Sequence, residues 1–236
     1  MQDPVVFIPG LMADARLFLP QLVRLGGQFA CHIALPTTGE TVEQMSEAML
    51  PGLPAKFAVV GQGLGGDVAL DLIRRLPDRV TRVVLISTDP LAETPILAGE
   101  RELRIIATRV GRLAEVMRRE IPARSLADSP WRDEVLMLVQ DMAMGLGEGV
   151  FMRQSRALQR RPDQQKTMRR IKLPALVIAG ALDTLVSPSR QKFTADLMPF
   201  GKLHVIESAG HLPTLEDPEV VSKILEDFLN GPVFLR

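Results

Sequence analysis

The sequence predicts an α/β protein: a doubly wound, mostly parallel sheet of about six strands, with a helical insertion. Short apolar runs rich in Val and Ile recur along the chain without clean polar alternation, as strands covered on both faces do. Helical periodicities separate most of these runs. Between residues 91 and 172 the alternation stops and only helical patterns remain, so that stretch reads as an insertion within a single domain spanning 1–236.

In chain order, the strand candidates are PVVFI (4–8), ACHIAL (30–35), FAVV (57–60), RVVLIS (82–87), ALVIAG (175–180) and KLHVIE (202–207). A helix follows the glycine-rich run after the third candidate, with Ala69, Leu72, Ile73 and Leu76 at helical spacing. The insertion carries helical patterns over roughly 98–120, 130–144 and 148–160, interrupted at Gly145, Gly147 and Gly149. Met117, Met137, Met142, Met144 and Met152 cluster there, which suits core filling or, alternatively, an adaptable lining for an apolar pocket. Its arginines alternate with acids, as on solvated helix faces. A last helix places Val220, Val221, Ile224, Leu225 and Phe228 on one face, with Asp217 as N-cap and Pro218 in the first turn.

Bulk properties narrow the function classes. The chain of 236 residues is 46% hydrophobic and 24% charged, with 28 basic and 28 acidic residues. A net charge of zero gives no electrostatic basis for nucleic-acid or anionic-membrane partners. No apolar stretch is long enough to span a bilayer, and MQDPVVFIPG lacks the basic start and apolar run of a signal peptide. The lone Cys31 cannot form an internal disulfide and reads as a buried strand residue, consistent with a reducing cytoplasm.

The run Gly61-Gln62-Gly63-Leu64-Gly65-Gly66 admits two readings. As G-x-G-x-x-G it matches a dinucleotide fingerprint, but two strands precede it. The acidic candidate for the ribose, Asp89, comes late and stands before Pro90 in a loop. As G-x-S-x-G it has the strand–turn–helix context of a nucleophile elbow, with small residues at Gly61 and Gly65 and with Gly63 where the nucleophile belongs. Downstream, in the chain order acid then base, Asp183 follows the strand ALVIAG and His211 follows KLHVIE. The backbone N–H groups of Leu11 and Leu64 are the candidate oxyanion donors. His32 and His204 fall inside strand patterns and read as structural; Asp67 reads as a first-turn complement to the helix dipole.

On these segments the sequence resembles the α/β-hydrolase superfamily, in the compact bacterial type that includes esterases, carbon–carbon bond hydrolases and proline iminopeptidase-like enzymes. PGLMADARLF resembles the oxyanion loop, VVGQGLGGDVALDLIRRLPDRVTRVVLIST the elbow and next strand, LPALVIAGALDTLVSP the acid loop, and SAGHLPTLEDPEVV the histidine loop. The resemblance implies a small acyl or carbonyl substrate (an ester, thioester, lactone or carbon–carbon substrate) and no cofactor or metal. It implies that residues 91–172 form a cap over the pocket, and the apolar content there favours a largely apolar acyl group.

Gly63 departs from the family at the position that performs covalent chemistry. Glycine suits a turn of positive φ, so it is expected to keep or stabilise the fold while removing the nucleophile. Three explanations remain open: an inactivated serine hydrolase, a non-hydrolytic member that uses His211–Asp183 as a general base, and a pseudoenzyme that binds a ligand. Among other nucleophile candidates, Gln62 is not nucleophilic, and Ser87 ends the neighbouring strand.

Overall fold

The apolar runs form one parallel sheet in the computed structural model, which describes residues 2–232. The first half comprises β1 (Val5–Ile8), α1 (Leu19–Leu25), β2 (Cys31–Ile33), α2 (Val42–Met49), β3 (Phe57–Gln62), α3 (Leu64–Arg75) and β4 (Val80–Ile86). Helices α4 (Pro95–Arg109), α5 (Leu113–Glu120), α6 (Arg132–Leu146), α7 (Glu148–Gln159) and the short α8 (Gln165–Met168) intervene before the sheet resumes. It ends with β5 (Ala175–Gly180), α9 (Pro188–Leu197), β6 (Gly201–Ile206), α10 (Pro213–Glu216) and α11 (Pro218–Asn230). The strand order is β2-β1-β3-β4-β5-β6, every pairing is parallel, and each strand-to-strand connection therefore crosses a face of the sheet.

Strand periodicity divides the core into two layers. Val5, Phe7, Val60, Val84, Ile86 and Ile178 point to one face, where they meet Leu25 of α1, Val221 and Leu225 of α11, and much of the insertion. Val6, Ile8, Val59, Val83, Leu85 and Val177 point to the other, against Met45, Val68, Leu72 and Ala195 of α2, α3 and α9. The central strands β1, β3 and β5 are buried along their whole length, as uninterrupted apolar runs require. The edge strands differ from that expectation. β6 alternates between half-buried and exposed residues, and β2 is half-buried with His32 exposed, because each has a neighbour on one side only. Cys31 is accordingly half-buried rather than buried.

The insertion also departs from its expected outline. The helical pattern over 98–120 is two helices, α4 and α5, broken at Gly111, whose φ of +80° ends the first. Met117 and Met142 are buried, whereas Met137 and Met144 are exposed, so the methionines do not share one role. At the other end of the chain, the Asp217 side chain accepts from the Val220 N–H and Pro218 opens α11, which is the start that the sequence predicts. Among the described residues no single helix is long and apolar enough to cross a membrane.

Candidate active site

The sheet positions the site through the register of its C-terminal strand ends. Gly63 leaves β3 with φ +52° and ψ −121°, and α3 begins at the next residue. Two close approaches make this tight turn possible. A Cβ on Gly65 would lie 1.9 Å from the Ile8 carbonyl oxygen, and one on Gly61 would lie 2.4 Å from that of Gly65. These glycines are explained by strand–helix packing alone, without a dinucleotide. Gly63 is different: a Cβ there would meet nothing nearer than the Gly10 Cα at 3.9 Å. The turn has room for a side chain, although the positive φ strains any residue but glycine.

Asp183 sits beyond β5 and is almost fully buried. Its Oδ1 accepts the backbone N–H groups of Leu185 (2.8 Å) and Val186 (3.0 Å). Its Oδ2 lies 3.0 Å from Nδ1 of His211 and also accepts from Gln191 Nε2 at 3.3 Å. An ionised carboxylate only accepts, so Nδ1 of His211 donates and Nε2 is left as the free acceptor. The His211 backbone is anchored as well. Its N–H donates to Ser125 O (2.8 Å), and its carbonyl accepts from Gln62 Nε2 (3.2 Å). Thr214 Oγ1 in turn donates to Gln62 Oε1 at 3.1 Å. Glu216 takes the N–H groups of Ala127, Gly210 and Leu212, so one carboxylate ties the histidine loop to the insertion.

Gly63, Leu64, Leu11 and His211 line one cavity of about 470 Å³. The backbone N–H groups of Leu11 and Leu64 have no hydrogen-bond partner among the described residues, while Met12 N–H donates to Gln154 Oε1 (2.8 Å). Gln154, from α7, also donates to Pro36 O (3.0 Å) and so fixes the loop that carries Leu11. Ser87 lines the same cavity, one strand over from Gly63, with φ +45° and a buried Oγ that lacks a partner.

Several expectations give way here. The arginines of the insertion are not confined to solvated faces: Arg101, Arg104 and Arg161 line the cavity together with Glu93, Glu100 and Glu120. The cavity wall on that side is charged rather than apolar. Arg101 Nη2 lies 2.5 Å from Glu93 and Arg104 Nη1 lies 3.2 Å from Glu120. Asp67 lies in the first turn of α3, as the sequence predicts, and is buried there against Arg161. Burial pushes its carboxyl up to about 7; Arg161 opposes the shift, and Asp89 and Glu93 add to it. Sequence reasoning missed Gln154 and Glu216. Gln154 had a readable signal, since it is a polar residue on the stripe Phe151, Gln154, Ser155, Leu158 that α7 buries.

An elbow after β3, a carboxylate after β5 and a histidine after β6, on a parallel sheet, are the layout of an α/β-hydrolase. A model of the alpha/beta hydrolase family matches residues 5–224. A pimeloyl-[acyl-carrier protein] methyl ester esterase of Aromatoleum aromaticum is 31% identical over 240 residues, which cover 94% of this chain and 91% of the relative. Among solved structures, a thermophilic esterase from Thermogutta terrifontis aligns with a TM-score of 0.86 at 23% identity, over 96% of this chain and 89% of that one. The enol-lactonase of Burkholderia xenovorans aligns with a TM-score of 0.86 at 21% identity, over 98% and 93%. The chain belongs to the alpha/beta hydrolase family.

Proposed function

We propose that the chain binds a small carboxylic ester, open-chain or lactone, and that its site is a serine-hydrolase site without the nucleophilic side chain. His211 is the general base, Asp183 orients it, Leu11 and Leu64 N–H groups form the oxyanion hole, and the insertion over 91–172 caps the pocket. One observation carries this reading: a histidine held at 3.0 Å by a buried, fully engaged carboxylate shares a cavity with a positive-φ turn that has space for a side chain. The names of the relatives fit, since a methyl ester and an enol-lactone share the carboxylic ester bond.

The chemistry left to Gly63 is direct hydrolysis. A water oxygen bonds to the carbonyl carbon while one of its protons passes to Nε2 of His211. The carbonyl oxygen takes up negative charge opposite the two backbone N–H groups. Collapse of the intermediate breaks the ester C–O bond, and the leaving oxygen takes the proton back from His211, giving the acid and the alcohol. Without a covalent intermediate this route is slow; a triad lacking a member retains on the order of 10³–10⁴ over uncatalysed hydrolysis.

The test is ester hydrolysis by the native chain and by Gly63→Ser, side by side on short p-nitrophenyl esters. The serine variant is expected to be faster by a hundredfold or more and to unfold at a lower temperature. Equal, negligible rates in both chains would overturn the hydrolase reading. The bare Gly63 position favours one second reading, ligand binding without turnover; tight ester binding with no hydrolysis in either chain would establish it.

A further inference from the structure

Arg161 is a largely buried arginine of the cavity whose guanidinium is incompletely bonded. It follows α7 at the end of the insertion and turns back onto the core, with its side chain only 12% exposed. Its Nη1 stands 3.6 Å from Asp67 and its Nη2 3.7 Å from Asp89, both too long for good hydrogen bonds. Among the described residues its guanidinium makes no hydrogen bond, and its buried Nε has no partner. Both carboxylate oxygens of Asp67 are likewise buried and unpartnered. Arg101 and Arg104 in the same cavity, by contrast, donate to Glu93 and to Glu100 and Glu120.

A buried guanidinium carries five donors, and leaving them unfilled is costly. The charges nearby do not fill them. With Asp67 raised to about 7, its carboxyl is partly neutral at physiological pH. Asp89 lies between Arg161 (Nη2 at 3.7 Å) and Arg190 (Nη1 at 3.9 Å). The local balance favours an incoming negative group, and a planar fork of donors suits a carboxylate or a phosphate. The location is also defined. Asp67 lies four residues after Gly63 at the start of α3, about 6 Å along the helix axis.

We propose that Arg161 is a specificity-determining residue, and that the substrate is an ester carrying a second, anionic group a few atoms from the scissile carbonyl. This rests on the ester-hydrolase reading above. Arg161 binds that group at the end of the cavity beside α3, while the ester carbonyl lies at Gly63. Asp67 competes with the ligand for the guanidinium as it ionises, within a cluster that also holds Asp89, Glu93 and Arg190.

Slow turnover in the native chain allows equilibrium binding to be measured. Calorimetric titration compares methyl esters of equal length that end in a methyl, a carboxylate or a phosphonate group, on the native chain and on Arg161→Gln and Arg161→Lys. The native chain is expected to bind an anionic ester at least tenfold more tightly than the neutral one. Arg161→Gln should lose that factor, so that neutral and anionic esters bind alike, and Arg161→Lys should keep part of it. The preference should weaken from pH 6 to pH 8. Whether carboxylate or phosphonate binds more tightly identifies the anion. Equal binding of neutral and anionic esters, or a preference that survives in Arg161→Gln, overturns the proposal. Thermal unfolding of each variant excludes collapse as the cause. Hydrolysis of the neutral ester by Gly63→Ser is scored separately. Present without an anionic preference, it sinks this inference alone; absent, it sinks the reading beneath it as well.

Discussion

Two acid–base pairs stand on either side of the Gly63 turn, and they are built on opposite principles. In the His211–Asp183 pair the carboxylate is buried but fully engaged: two backbone N–H groups, the imidazole and Gln191 replace the water it lost. In the Arg161–Asp67 pair the carboxylate is equally buried and accepts no hydrogen bond. Burial alone therefore does not set a carboxylate's behaviour; the donors that arrive with it do. The first pair is held in one geometry by its hydrogen bonds. The second is poised to change charge near neutrality.

The largest expected effect comes from breaking the satisfied pair. In the Gly63→Ser background, Asp183→Asn should lower kcat by about 10³-fold or more, because the amide no longer selects the tautomer with Nε2 free. KM should change little, and steady-state kinetics on p-nitrophenyl esters decide it. A drop confined to KM would mean that Asp183 shapes binding rather than proton transfer.

Changing the unsatisfied pair should act on stability instead. The Asp67 carboxyl goes from an ordinary 3.8 to about 7 on folding, so the folded chain holds the proton more firmly than the unfolded one. Stability from this group is greatest below pH 4 and is lost as pH rises from about 4 to 7. Asp67→Asn removes that loss. The variant should gain on the native chain across that window and be the more stable at pH 8, by at most about 4 kcal/mol. Thermal unfolding at pH 5, 6, 7 and 8 would show it, and a difference that does not vary with pH would rule it out.

The smallest expected effect concerns the neighbouring strand end. Ser87 holds φ +45° with an unpartnered hydroxyl, so Ser87→Gly should raise stability by about 1 kcal/mol, seen as a shifted denaturant midpoint.

This contrast also separates what the sequence discloses from what it hides. The central strands are readable because buried parallel strands need unbroken apolar runs, β2 and β6 as shorter apolar runs of the same kind, and the elbow, Asp183 and His211 because each follows such a run. The break at Gly111 is hidden, since Leu103 to Met117 keeps an apolar rhythm across it. The burial of Asp67 is hidden for a different reason. Its first-turn position fits the dipole, and nothing local signals that Arg161, from the far end of the insertion, will bury it. The edge position of β6 does leave a trace: Lys202 and His204 stand at alternate, exposed positions, where β5 is apolar throughout.

The left-handed backbone at Gly63 bears on the chain's tolerance of substitution as well as on its chemistry. A side chain at φ +52° carries backbone strain of order 1–3 kcal/mol, and glycine relieves it. A chain so relieved sits further above its folding threshold and tolerates destabilising substitutions elsewhere that its Gly63→Ser variant would not. In a scaffold weakened elsewhere, placing a hydroxyl at position 63 adds that strain to a smaller reserve, so the same substitution costs more of the folded population there.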